Sequence, residues 1–362
     1  MAITRLGPNQ DITAAKIAGQ INFKNLIING DMSVSQRTTS EASVNSIRYS
    51  ACDRWYTNPQ NIGTYTISQD TDVPSGQGFA KSYKVACTTA DASPAAGDIF
   101  QIQQRIEGQM LQQIKKGTAN AESLTLSFWV KSNLTTTFGV TLQDNDNSRI
   151  IGSTFTINTT NTWEKKTITF AGDTTGALDN DNANSLQLQF CLGTGSTYSG
   201  TDNTSWGAYA NGKLGYGVTG NIASSTSNNF WITGVQLEAD TSASDFEFLP
   251  YDVNLMRCQR YYYERVAEDA YGPGVQGMQI GASDTMIQGY HPIKMRAAPS
   301  MSVSGTWVME VGTTSVAWTC PSTRTSTTAF SSQQSAGNSD GSAAIVYSNN
   351  NTASAIIGDA EL

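Results

Sequence analysis

Histidine is nearly absent: His291 is the only one in 362 residues. A metal centre built on several histidines is therefore excluded, and imidazole catalysis would have to run through that one side chain. Charge is also scarce, with Asp, Glu, Lys and Arg together at 14% and a formal net charge of −8. Nucleic-acid binding needs a basic face that displaces counterions from phosphates, so nucleic acid is not an expected partner. Lysine is missing altogether after Lys294. The five cysteines, at 52, 87, 191, 258 and 320, form no C-x-x-C pair. Zinc ribbons and thioredoxin-like chemistry are excluded, and the odd, wide spacing argues for buried free thiols in a reducing compartment. No apolar run approaches the roughly 18 residues of a membrane span, so no membrane insertion is expected. The opening Met1-Ala2-Ile3-Thr4-Arg5 lacks the apolar core of a signal peptide. The chain reads as one made in a cytoplasm and not exported by the usual route.

What is present is not disorder. Seven Trp, 14 Tyr and 12 Phe supply core material, and 38% of the residues are hydrophobic. The remainder is rich in Gly, Ser, Thr, Asn and Gln, which suits strands joined by long polar turns. The length allows about two domains. Residues 1–24 look unlike the rest, with Ile12, Ile17 and Ile21 spread among Ala, Gln and Lys. A short helix capped by Asp11 is expected there, in a segment that forms no core of its own: a frayed tail or a docking arm.

From 25 to 250 the pattern has period two. Leu124, Leu126, Phe128 and Val130 alternate with polar residues, as do Phe138, Val140 and Leu142 and then Leu186, Leu188, Phe190 and Leu192. Phe230, Ile232, Val235 and Leu237 close the set, with a bulge expected at Gly234. Such alternation predicts half-buried, half-wet antiparallel strands, and their number predicts a jelly-roll β-sandwich. Residues 251–274 break the pattern. A short helix capped by Asp252 is expected to carry Leu255, Cys258 and Tyr262 on one face. From 275 to 362 strands return as a second, smaller β-sandwich, with the Ser/Thr/Gly-rich tract 322–342 reading as a long loop. The predicted fold is all-β: an N-terminal arm, a jelly roll, a linking helix and a C-terminal sandwich.

Several chemical motifs fail on context. Gly215–Gly220 and Gly272–Gly277 both fit G-x-G-x-x-G, but neither lies in a βαβ unit. Gly207 to Lys213 is one residue short of a P-loop, and Leu214 replaces its Ser/Thr. Asp144-Asn145-Asp146-Asn147-Ser148 imitates an EF-hand start, yet Arg149 stands where Gly is needed. A hairpin turn fits better, and Asp179-Asn180-Asp181-Asn182 reads the same way. His291, before Pro292, reads as structural. The aromatic-rich stretch 193–220 is the positive signal. Tyr198, Trp206, Tyr209 and Tyr216 sit there among Gly, Ser, Thr and Asn, a set suited to stacking on sugar rings or to packing back on the sandwich. The tract 322–342 is a rival recognition surface.

The order of short motifs carries a resemblance. Asn25-Leu26-Ile27-Ile28-Asn29-Gly30-Asp31 is followed by Ser35-Gln36-Arg37, Asp53-Arg54-Trp55 and Phe230 to Glu238. Then come Phe246-Glu247, Pro250-Tyr251, Cys258-Gln259-Arg260-Tyr261-Tyr262 and Pro292 to Pro299. Over about 25–300 this series resembles the distal part of tail fibre proteins of tailed bacteriophages, particularly of marine podoviruses. The first sandwich also resembles the jelly rolls of carbohydrate-binding modules. In that group the opening and closing strands often hold calcium. Here Asp31-Met32-Ser33 and Thr233-Gly234-Val235 stand at those places, so no calcium, other metal or cofactor is carried over.

The resemblance implies a non-enzymatic, trimeric virion fibre assembled in a bacterial host. Residues 1–24 would dock on the tail or another virion protein. Leu255, Cys258 and Tyr262 would help join copies of the chain, and Tyr198, Trp206, Tyr209 and Tyr216 would meet a host-cell glycan or protein receptor. The alternatives are a ligand-free head fibre, adaptor or spacer, a glycan-binding domain, and a depolymerase of host polysaccharide.

Overall fold

The computed structural model describes residues 23–281, 284–320, 323–337 and 341–362. The arm helix expected near Asp11 and most of the 1–24 arm lie outside these residues.

The period-two stretches form two antiparallel sheets packed face to face. One has six strands in the order Ser40–Val44, Thr64–Asp70, Ser82–Thr89, Asn229–Ala239, Leu124–Ser132 and Glu164–Phe170. The other has seven: Gly207–Ala208, Arg149–Thr156, Thr137–Asp144, Asn184–Thr194, Ile99–Glu107, Tyr56–Gln60 and Arg48–Tyr49. Leu126, Phe128 and Val130 from the first sheet meet Phe138, Val140, Leu188 and Phe190 from the second, all buried. Phe128 and Phe190 pack edge to face at 5.1 Å, and Phe138 and Phe230 do so at 5.6 Å. Gly234 takes φ +61° where the register of its strand shifts, as the bulge requires. The Asp144–Arg149 turn closes a hairpin, with the Asp144 carboxylate accepting from Asn147 N at 3.0 Å.

The outer faces are drier than simple alternation predicts. Thr125, Ser127, Gln187 and Gln189 are buried although they point away from the core. Thr125 is covered by a neighbouring segment, its Oγ1 donating to the Asp240 carbonyl at 2.8 Å, while the glutamines are packed against one another.

The helix spans Tyr251–Gln259, and the next strand is Tyr262–Val266. Tyr262 is thus a strand residue, a correction to the expected helical face: Arg260 caps the helix, and the chain then pairs with Ala355–Asp359. Cys258 is buried with Ile28, Val34 and Tyr261, and Leu255 packs on that cluster. The Arg37 guanidinium lies 3.6 Å from the centre of the Tyr262 ring. Of the three residues expected to join copies, Cys258 and Tyr262 are buried within the chain and Leu255 is half-buried.

The second β region has a three-stranded sheet, Tyr262–Val266, Ala355–Asp359 and Ser300–Ser304. Its seven-stranded sheet runs Thr314–Ala317, Trp307–Val311, Ala343–Ser348, Pro273–Gln279, Thr285–Tyr290, Ala329–Gln334 and Arg324–Thr325. Trp307 and Trp318, T-shaped at 6.3 Å, sit in its core with Phe330. The long loop expected over 322–342 is corrected here: Phe330 and Ser332 face inward on a strand whose only large apolar side chain is Phe330, too few to show as a period.

The motifs that carried the resemblance brace the opening of the first region and, with Glu107 and Glu361, join the two regions. Asn29 Nδ2 donates to the Val34 and Asp53 carbonyls at 2.8 and 2.9 Å, and Trp55 Nε1 donates to Asn29 O at 3.0 Å. Gln36 Nε2 donates to Tyr262 O at 2.8 Å. Arg260 makes a two-pronged pair with buried Glu107 at 2.8 and 2.7 Å. Arg296 Nη1 donates to Asn182 O at 2.9 Å, and buried Arg54 pairs with Glu361. All five cysteines are free and buried.

Candidate functional site

The side chains on the outer face of the seven-stranded sheet of the first sandwich follow from register. Gln189 stands opposite Gln103, and Gln187 opposite Arg105 on one side and Gln143 on the other. Tyr56 and Asn58 stand opposite Gln103 and Gln101. The glutamines form a directional relay. Gln187 donates to Gln103, Gln103 to Gln101 at 2.8 Å, and Gln101 to Gln189 at 2.6 Å. Gln189 then donates to Gln143 at 2.7 Å, and Gln143 to Asn145 at 2.9 Å. A primary amide has two N–H donors and an acceptor with two lone pairs, so each member keeps capacity beyond the relay.

These residues line an open cleft of about 250 Å³ with Tyr56, Tyr198 and Tyr209. Gln60 Nε2 donates to Tyr198 Oη at 3.2 Å, and Tyr209 Oη donates to Asn211 at 2.9 Å. Burial pushes the Tyr209 hydroxyl pKa up, so it stays protonated and able to donate. Asn58 Oδ1 is buried with no partner, leaving one acceptor for a ligand hydroxyl. Arg105, the one cation in the lining, lies 4.4 Å from the centre of the Tyr56 ring and donates to Leu362 O. Among the described residues no Asp or Glu lines the cleft.

Of the four aromatics singled out in 193–220, the structure brings Tyr198 and Tyr209 together here. Trp206 packs against the first core, donates from Nε1 to Ala171 O at 2.7 Å and lies 5.3 Å from Lys116 Nζ. Tyr216 is half-buried and is not among the residues lining the cleft. The glutamines and Tyr56 escaped sequence reading, because polar residues alternating with apolar ones read as a solvated face. The signal was Gln at 101, 103, 143, 187 and 189 on strands that proved adjacent. His291 lies elsewhere: its Nδ1 faces Tyr263 Oη at 3.0 Å and its Nε2 faces Ser326 O at 3.1 Å. No group of three or more His, Cys, Asp or Glu able to hold a metal occurs among the described residues. Among them, no helix is long and apolar enough to cross a membrane.

No known protein family matches this sequence. No curated protein matches it either. Solved structures match parts of this chain at low identity and low TM-score. The enzymatically active domain of tailspike protein 4 of bacteriophage CBA120 is 14% identical over 59% of this chain, with a TM-score of 0.31. This chain spans only 21% of that one. The family 11 carbohydrate-binding module of a cellulosomal cellulase of Clostridium thermocellum is 12% identical, covering 58% of this chain and 99% of its own, with a TM-score of 0.28. The xylan-binding domain of a Paenibacillus barcinonensis protein is 12% identical, covering 59% and 97%, with a TM-score of 0.27. What the cleft does rests on its own geometry.

Proposed function

We propose that the chain is a glycan-binding β-sandwich protein that recognises a neutral stretch of saccharide in the glutamine cleft, without cleaving it. The observation that carries this is the amide relay flanked by Tyr56, Tyr198 and Tyr209. Sugar hydroxyls both donate and accept, matching amides with spare capacity, and the apolar faces of sugar rings stack on tyrosine. Bond cleavage by the two-carboxylate route needs a pair of acids about 5–10 Å apart across the bond. A lining without acids favours holding a chain over cutting it. The motif order shared with phage tail fibres supports placing this activity on a virion surface, with residues 1–24 as the docking arm and a host glycan as receptor. Many weak clefts on one particle would then add up through avidity.

The test is a glycan array followed by calorimetric titration of the best neutral oligosaccharide. Tyr209→Ala is expected to weaken that binding by about threefold to tenfold, the scale of one aromatic stacking contact. Equal affinity in the wild type and Tyr209→Ala would remove the cleft as the site. Release of reducing ends from the bound glycan would replace binding with hydrolysis.

A further inference from the structure

The outer face of the seven-stranded sheet in the second region carries a second set of tyrosines and glutamines. Tyr290 is 80% exposed and Tyr271 62% exposed, unusual values for large side chains on or beside a sheet. With Tyr347, Gln276, Gln288 and Arg265 they line a groove of about 960 Å³, at the upper end of the roughly 300–1,000 Å³ typical of small-ligand sites. Register explains the grouping. Gln276 stands opposite Gln288 on one side and Ile345 on the other, giving an outward row of two amides and an aliphatic side chain. Tyr271 and Tyr347 meet beside it with ring centres 6.3 Å apart. The Tyr347 hydroxyl donates to Glu310 at 3.3 Å, which fixes that ring from outside the lining.

The charge of the groove departs from that of the chain. Arg265 is the only Lys, Arg, Asp or Glu in its lining, and it makes no ion pair among the described residues. An unpaired guanidinium beside aromatic faces, on a protein of net charge −8, complements an anionic ligand, and a planar carboxylate fits its fork of donors. A second copy docked here would leave Gln276 and Gln288 to be desolvated without a designed partner.

We propose that this groove is a second saccharide site, selective for uronic-acid-containing chains, with Tyr290 and Tyr271 as stacking platforms and Arg265 as the carboxylate anchor. The proposal takes its ligand class from the saccharide reading of the glutamine cleft but assigns a different sugar chemistry to a different sheet. The groove binds acidic chains and the cleft neutral ones.

The experiment titrates the full chain with hexamers of galacturonate, mannuronate and guluronate, and with neutral hexamers of galactose, xylose and glucose. Three variants are compared with wild type: Tyr290→Ala, Arg265→Gln and, in the cleft, Tyr209→Ala. At least one acidic hexamer is expected to bind. Tyr290→Ala should weaken it about threefold to tenfold with an unchanged melting temperature, because that side chain is exposed. Arg265→Gln should weaken it and flatten its salt dependence, whereas Tyr209→Ala should leave it intact. Failure of every acidic hexamer to bind overturns the second site, whatever the neutral hexamers do. Loss of acidic binding in Tyr209→Ala alone places that binding in the cleft and also overturns it. Acidic binding lost in Tyr290→Ala, with no neutral hexamer bound, sustains the groove and sinks the cleft reading instead. Sedimentation showing an oligomer that Tyr290→Ala dissolves would make the face a contact between copies and overturn the saccharide site.

Discussion

At the scale of single residues, the glutamine relay and the tyrosines around it make separable contributions. Gln103 both accepts from Gln187 and donates to Gln101, so Gln103→Ala leaves the buried Gln187 donor without its partner, while Gln101 keeps Asn58 as a donor at 3.3 Å. An unmade buried hydrogen bond costs about 1–3 kcal/mol, so this variant should melt earlier as well as bind saccharide more weakly. Tyr209→Ala, which removes a half-buried ring packed on Ile99, Ile150, Cys191 and Leu214, should lose more affinity than Gln103→Ala and less stability. Thermal melts beside titrations check the contrast, and an unchanged melting temperature for Gln103→Ala would show that the relay is not a structural unit. Gly30 gives a second residue-scale case. A Cβ there would stand 2.1 Å from the Val235 carbonyl oxygen, and the obstacle is backbone that cannot swing aside. Gly30→Ala is therefore expected to cost about 3 kcal/mol, read as a lower denaturation midpoint at an unchanged slope.

At the scale of elements, the strand Thr285–Tyr290 ends beside a histidine whose bonds fix its protonation. Ser326 O can only accept, so Nε2 carries the proton and Nδ1 accepts from the Tyr263 hydroxyl. Burial lowers the His291 pKa from its ordinary 6.5, while the hydrogen bonds at Ser326 and Ala329 pull weakly the other way. A lowered pKa means the unfolded chain takes up the proton first. Stability is then full above about 6.5 and falls as the pH drops from there towards the folded-state value. The carboxyls of buried Asp53 and half-buried Glu264, raised mainly by desolvation, act in the opposite sense. The informative quantity is thus the difference between wild type and His291→Gln. Wild type should lose ground relative to the variant between pH 6.5 and 5, and parallel melting curves across that window would refute the assignment.

Elements also show what could be read in advance. Leu124–Val130 and Leu186–Leu192 announced themselves because every second residue is large, apolar and buried. The strand Ala329–Gln334 did not, since Phe330 is its single large apolar residue and Ser332 fills the other inward position. Tyr262 continued a helical spacing on paper, but strand pairing with Ala355–Asp359 captured it, a tertiary contact over nearly 100 positions of sequence. Half of the aromatic set in 193–220 reached the cleft. The glutamines were hidden because a relay exists only after strands far apart in sequence have been placed side by side.

At the scale of the molecule, the segment Asp359–Leu362 ties the two β regions together and reaches the cleft. Glu361 is buried and pairs with Arg54 and, at 3.4 Å, with Arg37. Arg54 is itself buried with its guanidinium 3.4 Å from the centre of the Tyr261 ring, so its charge is balanced chiefly by Glu361. One residue further on, Leu362 O accepts from Tyr49 Oη at 3.1 Å and from Arg105. Arg105 lies over Tyr56, and both line the cleft. Removing the Glu361 carboxylate leaves a guanidinium stranded in a dry junction, a change that costs about 3–5 kcal/mol in comparable buried pairs. Because that cost falls on the joint and not on either core, Glu361→Ala should split one calorimetric transition into two, the second region melting first. It should also weaken neutral-saccharide binding severalfold although Glu361 touches no part of the cleft, because Leu362 no longer holds Arg105 and Tyr56 in place. Glu361→Gln, which keeps the shape and one acceptor, should recover part of the affinity. A single unshifted transition in Glu361→Ala would show that the junction does not couple the regions, and full affinity in that variant would show that the cleft wall stands without it.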